Sequence, residues 1–136
     1  MCGIIGISSN KSVSANIINS LKKLEYRGYD SAGLATLSDG VIHEVKSEGR
    51  VDNLEQNFDL KTLKGNIGIG HVRWATHGVP NSINAHPHSS YNVSVVHNGI
   101  IENSTILKKF LINKGHNFKS QTDTEVIVHL ITENLK

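Results

Sequence analysis

The chain has 136 residues, enough for one domain and too few for two of ordinary size. Apolar residues make up 38% and charged residues 19%, the balance of a folded globular chain rather than a disordered one. The formal net charge is only +2 and no basic run exceeds two residues, as at Lys108-Lys109, so neither nucleic acid nor a membrane surface is expected as a partner.

No apolar run approaches the roughly 18 residues of a membrane span. Near the N-terminus Ile4, Ile5 and Ile7 are interrupted by Gly6, which is no secretory h-region, so a cytoplasmic location is expected. The one cysteine, Cys2, excludes an internal disulfide and any multi-cysteine zinc site. Two readings of it remain, a small buried hydrophobe or a reactive thiol.

In chain order, residues 3–8 read as a buried strand that starts at the cysteine. Val13, Ile17, Leu21 and Leu24 recur at helical spacing, which predicts a helix over 13–24 with Ser12 as N-cap. Residues 31–37 and 41–47 flank Asp39-Gly40 and predict a hairpin, since Asp-Gly tolerates the positive φ angles of a two-residue turn. A short helix is expected over 51–58. Residues 66–72 alternate glycine with Ile67 and Ile69, which suits a strand in a crowded place where backbones approach closely.

From Arg73 to Tyr91 periodicity stops, and both prolines, Pro80 and Pro87, fall there. The stretch reads as a long loop of the kind that carries function. Residues 92–97 return to strand. A helix is expected over 103–114, closed by Gly115. Thr122-Asp123-Thr124-Glu125 has the spacing of a capping box and introduces a helix bearing Val126, Ile127, Leu130 and Ile131. Strands grouped around hairpins with helices between them point to an α+β layered fold.

A cysteine at position 2 has one chemical property of note. Loss of the initiator methionine, common before a small residue, would leave its α-amine beside its own thiol. An α-amine has a pKa of about 7.7 to 8.0, so near neutrality a useful fraction is uncharged. One residue then supplies both nucleophile and general base.

Six segments extend this. They are Cys2-Gly3-Ile4-Ile5-Gly6; Glu25-Tyr26-Arg27-Gly28-Tyr29-Asp30-Ser31-Ala32-Gly33; His71-Val72-Arg73-Trp74-Ala75-Thr76-His77-Gly78; Asn84-Ala85-His86-Pro87-His88; His97-Asn98-Gly99-Ile100-Ile101-Glu102-Asn103; and Ser120-Gln121-Thr122-Asp123-Thr124-Glu125. In this order they resemble the glutaminase domain of the glutamine–fructose-6-phosphate aminotransferases, class II glutamine amidotransferases of the N-terminal-nucleophile hydrolase type. The resemblance implies an αββα four-layer sandwich of antiparallel sheets, incomplete in this chain. Residues 1–136 would be the N-terminal part of the glutaminase domain, with the sugar-phosphate isomerase domains absent.

The same resemblance assigns roles. Cys2 would attack the side-chain amide carbon of L-glutamine, release ammonia and form a γ-glutamyl thioester that water hydrolyses. Asn98 and Gly99 would form the oxyanion hole, although on the residues alone Asn-Gly also suits a tight turn between strands. Arg73 would grip the α-carboxylate through its planar fork, and Asp123 would receive the α-ammonium. Asp123 also reads as a helix-start residue, with Thr122 the better cap. Trp74, Thr76, His77 and His86 would complete the glutamine pocket, and Arg27 would stand beside the nucleophile.

His86 and His88, with His71, His77 and His97, invite a metal reading. Thiol hydrolysis of glutamine needs neither metal nor cofactor, and none is expected. Gly68-Ile69-Gly70 starts like a dinucleotide motif, but Arg73 stands where the third glycine belongs. Fructose 6-phosphate would be bound only by the absent isomerase portion, and self-association is a further expectation. Two functions of different class follow: a glutamine hydrolase supplying ammonia for amino-sugar synthesis in a complete enzyme, or a non-catalytic remnant needing a second chain to complete its pocket.

Overall fold

The computed structural model describes residues 1–75 and 78–136. The chain opens with β1 (Gly3–Ser8), and the apolar spacing that follows forms α1 (Ser14–Leu24), closed by a single 3₁₀ turn over Glu25–Arg27. Ser12 is not its N-cap. Val13 holds that position without a side-chain cap, and its N–H donates to the carbonyl of Gly65 at 3.0 Å.

The hairpin forms as read from the sequence. β2 (Ser31–Ser38) and β3 (Val41–Glu48) pair antiparallel, and Asp39 and Gly40 take φ of 52° and 75°. Those angles match the turn to the right-handed twist of the strands. In α2 (Val51–Asn57) the first turn is capped from outside, the Glu25 carboxylate accepting the N–H of Val51 at 2.8 Å. β4 (Ile67–Arg73) then enters between β1 and β2, giving an antiparallel sheet of order β1-β4-β2-β3.

α1 lies directly on the glycines of β4. A Cβ on Gly70 would stand 2.7 Å from Cγ2 of Ile17, so only a residue without one lets the helix pack this close. The core on this face joins Val13 at the N-cap and Ile17 and Leu21 of α1 to Leu34 and Val72 of the sheet and Val51 and Leu54 of α2, all fully buried. Each such side chain contributes about 1.5–3 kcal/mol by leaving water.

The polar stretch after Arg73, expected as unbroken loop, carries β5 (His88–Ser90), paired with β6 (Val93–Val95) in a second, two-stranded sheet. A three-residue strand is too short to show alternation. α3 (Ser104–Asn113) ends as predicted, with Gly115 at φ 95° and the N–H of His116 returning to the carbonyl of Leu111 at 3.0 Å. The capping box does not form. α4 (Glu125–Asn134) begins at Glu125, whose carboxylate turns back to the N–H groups of Lys119 and Ser120, while the Thr122 hydroxyl joins His88.

The layers are α1 and α2, the four-stranded sheet, β5–β6, then α4 with α3 against it. Among the described residues the second sheet covers only part of the first. Ile4, Leu37 and Ile67, on the face turned from α1, stay 47%, 38% and 46% exposed. No helix among the described residues is long and apolar enough to cross a membrane.

Candidate active site

Cys2 sits just before β1, and three elements converge on it. The 3₁₀ turn brings Arg27, whose Nε donates to the Cys2 carbonyl at 3.0 Å. The segment after β6 brings Asn98, whose Nδ2 donates to the same oxygen at 3.1 Å. The end of β4 brings Trp74, whose N–H points at Cys2 Sγ from 3.2 Å. The nucleophile candidate is thus held at its own carbonyl and at its sulfur, and it lines a cavity of about 400 Å³.

Trp74 and its neighbours are braced in turn. The carboxylate of Asp30 accepts the N–H of Ala75, the Tyr29 ring meets the Trp74 ring edge-on at 5.8 Å, and the Arg50 guanidinium lies 4.6 Å over Tyr29. Asn98-Gly99 is not a hairpin turn, because no strand follows it. Gly99 has φ 148°, which disfavours any side chain, and a Cβ there would meet the His97 ring at 3.0 Å.

Arg73 and Asp123 line the same cavity. The Arg73 guanidinium is nearly fully buried and donates to the carbonyls of Gly78 and Val79 at 3.2 Å each. Burial lowers its pKa, opposed by Asp30, Cys2 and Asp123, and an arginine so placed stays cationic. Asp123, also buried, accepts the N–H of Ile101 on Oδ2 at 2.7 Å. A buried cation and a buried carboxylate in one cavity complement the two charges at the amino-acid end of a zwitterion.

Beneath them lies a row of buried histidines. His86 lines the cavity, stacks on His71 with centroids 4.0 Å apart, and meets His88 at 4.8 Å. Burial lowers the pKa of His71 to about 4 and of His88 to about 3, and burial together with its histidine neighbours takes His86 lower still. At neutral pH all three are uncharged, so the row adds shape and hydrogen bonds to the cavity without charge. The N–H of His97 donates to His86 Nδ1 at 3.4 Å, which assigns the His86 proton to Nε2. Among the described residues no three His, Cys, Asp or Glu side chains are grouped so as to hold a metal ion.

A sequence profile described as "Glutamine amidotransferase domain" matches residues 58–134, more than half of the chain. The chain belongs to this amidotransferase family. It is 54% identical over its whole length to the glutamine–fructose-6-phosphate aminotransferase (isomerizing) of Bartonella henselae and covers 22% of that protein. The enzymes of the same name from Pyrococcus horikoshii and Clostridium acetobutylicum are each 56% identical over 100% and 96% of the chain, which covers 23% and 22% of them. The chain therefore spans about a fifth of the length of these relatives. A solved glutamine phosphoribosylpyrophosphate amidotransferase from B. subtilis superposes with TM-score 0.81 at 33% identity, over 97% of this chain and 29% of that one. An enzyme described as the allosteric regulatory enzyme of purine biosynthesis gives 0.82 at 34%, with the same coverage. The α+β N-terminal-nucleophile hydrolase fold expected from the resemblance is the fold this chain adopts.

Within this amidotransferase domain, Cys2, Arg27, Arg73, Trp74, His86, Asn98, Gly99 and Asp123 all line the one cavity. Thr76 and His77 lie outside the described residues. Sequence reading missed several supports. Asp30 fixes Ala75, and the Asn84 side chain accepts the Gln121 backbone N–H at 2.8 Å and donates to the Gln121 side-chain oxygen at 3.0 Å, which fastens the Val79 loop to the segment before Asp123. Thr124 holds His97 at 3.2 Å. Asp30 and Gln121 stand inside the quoted motifs, and a polar residue there beside a binding residue is the signal that would have found them.

Proposed function

We propose that the chain hydrolyses the side-chain amide of L-glutamine with Cys2 as nucleophile. One observation carries the reading: the Cys2 thiol shares a cavity with a buried Arg73 and a buried Asp123. Arg73 receives the α-carboxylate, Asp123 the α-ammonium, and the side-chain amide extends to the sulfur. Trp74 and the neutral His86 wall the pocket, and Thr76 and His77 are assigned to it through the resemblance alone.

Loss of Met1 frees the Cys2 α-amine, which takes the thiol proton as sulfur bonds to the amide carbon. The oxygen of that carbon gathers negative charge beside the Asn98 amide and the Gly99 N–H. One such donor is worth about 2.7–4 kcal/mol in a transition state. The amine passes its proton to the departing nitrogen, which leaves as ammonia. Water then cleaves the thioester to glutamate and restores the thiol. Arg27 keeps the Cys2 carbonyl in place throughout and exchanges no proton.

The relatives' name couples glutamine to fructose 6-phosphate, so the ammonia serves glucosamine 6-phosphate synthesis in a complete cytoplasmic enzyme. Residues 1–136 supply only the N-terminal part of its glutaminase domain, and the sugar phosphate binds elsewhere. A second reading, a fragment that needs another chain before it turns over, is favoured by the open sheet face bearing Ile4, Leu37 and Ile67. The test is a pair of preparations, one with Met1 removed and one with a non-removable tag before Cys2. Ammonia release confined to the first supports an α-amine base. Equal release from a preparation shown by mass spectrometry to keep its tag refutes it.

A further inference from the structure

Glu125 begins α4 yet does not serve its helix. Its side chain is 5% exposed and bent back on the preceding segment. One carboxylate oxygen accepts the N–H of Lys119 at 2.7 Å and faces His129 Nε2 at 3.3 Å. The other accepts the N–H of Ser120 at 2.7 Å and the Ser120 hydroxyl at 2.6 Å. Residues 119–124 form no regular structure, so this carboxylate takes the place that a ladder or helix would have in ordering them. Burial raises its pKa, but the bonds from Lys119 and Ser120 outweigh burial and lower it, so the anion persists at neutral pH.

The ordering passes on to the cavity. Ser120 Oγ meets Thr122 Oγ1 at 2.9 Å, and Thr122 Oγ1 meets His88 Nε2 at 2.8 Å. Thr124 is held by His97. Asp123 stands between these two anchored threonines, and its direction into the cavity is set by them and by its bond to Ile101. Ser120, Thr122 and Glu125 form one continuous buried chain of bonds that ends at the flanks of Asp123.

We propose that Glu125 is the positioning residue for recognition of the substrate α-ammonium, acting through the 119–124 turn on Asp123. The inference rests on the assignment of Asp123 to that ammonium. It predicts a defect selective for substrates that carry the amine. Glu125→Gln keeps size but presents an N–H₂ to one of two backbone N–H donors, and Ser120→Ala removes only the hydroxyl link.

The experiment uses the whole chain and two readouts. The first needs no ligand: hydrogen exchange of the Ile101 amide, followed by mass spectrometry, should speed up roughly tenfold in Glu125→Gln and less in Ser120→Ala, since the Asp123 bond is lost or loosened. The second is protection of Cys2 against a diazoketone analogue of glutamine. L-Glutamine should protect the variants about tenfold more weakly, while glutaramate, which lacks the α-amine, protects as before. A merely structural role would weaken both protectors alike, and that result overturns the proposal. So does unchanged Ile101 exchange. Should Glu125→Gln not fold, Ser120→Ala decides by the same criteria. Failure of glutamine to protect the unmodified chain would sink the glutaminase reading instead, while the Ile101 exchange still decides whether Glu125 places Asp123.

Discussion

Arg73 is bonded to the carbonyls of Gly78 and Val79 while it lines the cavity, so on the proposed function its planar fork would serve loop and substrate together. Arg73→Lys keeps the charge but loses the geometry. A charge-assisted hydrogen bond contributes about 1.5–3 kcal/mol, so KM for glutamine should rise roughly ten- to a hundredfold with kcat less affected. Steady-state kinetics on the Met1-free chain checks this, and an unchanged KM would move the carboxylate site elsewhere. That Cys2, Arg73 and Asp123 would be brought together was legible because the motifs that contain them are long, and the three line one cavity. Glu125 was legible only as a type. Its spacing from Thr122 suited a capping box, and the choice between the Thr122 N–H and the two donors at Lys119 and Ser120 is made by how the turn folds onto β5.

At the scale of elements, β1 to β4 and the four α-helices followed from period and turn chemistry, while β5 did not. The region it belongs to is held by side chains that meet only after the sheets stack, as His71 on β4 does with His86, which in turn meets His88. That stacking has a pH cost. Folded His71 and His88 titrate at about 4 and about 3 against an ordinary 6.5, and His86 is also lowered. The unfolded chain therefore takes up protons first as pH falls below 6.5. The stabilising contribution is complete above that value and is lost on the way down towards 4. Between about pH 7.5 and pH 5 each histidine costs about 2 kcal/mol, or about 6 kcal/mol for the three. Net stabilities run only about 5–15 kcal/mol. Arg73 and Lys46 work in the same direction on His86 and His88, while Glu125 opposes them at His88. The midpoint of thermal unfolding, followed by the fluorescence of the single tryptophan Trp74, should fall steeply from pH 7 to pH 5. A flat profile over that range would show that these rings are hydrated in the folded chain.

For the whole molecule the decisive feature is the uneven cover of its main sheet. One face is sealed by α1 and α2. On the other, β5–β6 shelters the end near the histidines, and the row Ile42, Leu37, Ile67 runs across neighbouring strands at the border of that shelter, where it shares a pocket with Ser94 of β6, with Ile4 further along β1. A sandwich is stabilised by burying the inner face of each sheet against the other, and uncovered apolar rows beside an open strand edge are templates for association. Among the described residues β1 is such an edge, being paired on one side only, with β4. The 136-residue chain is therefore expected to self-associate through this face and to elute from size exclusion well above 14.9 kDa. Replacing Leu37 and Ile67 by lysine should shift elution towards the monomer, because the charges sit on the exposed row and leave the α1 core intact. A monodisperse monomer with a cooperative thermal transition, found for the unmodified chain, would show that the partial second sheet is cover enough and that this face is not a site of association.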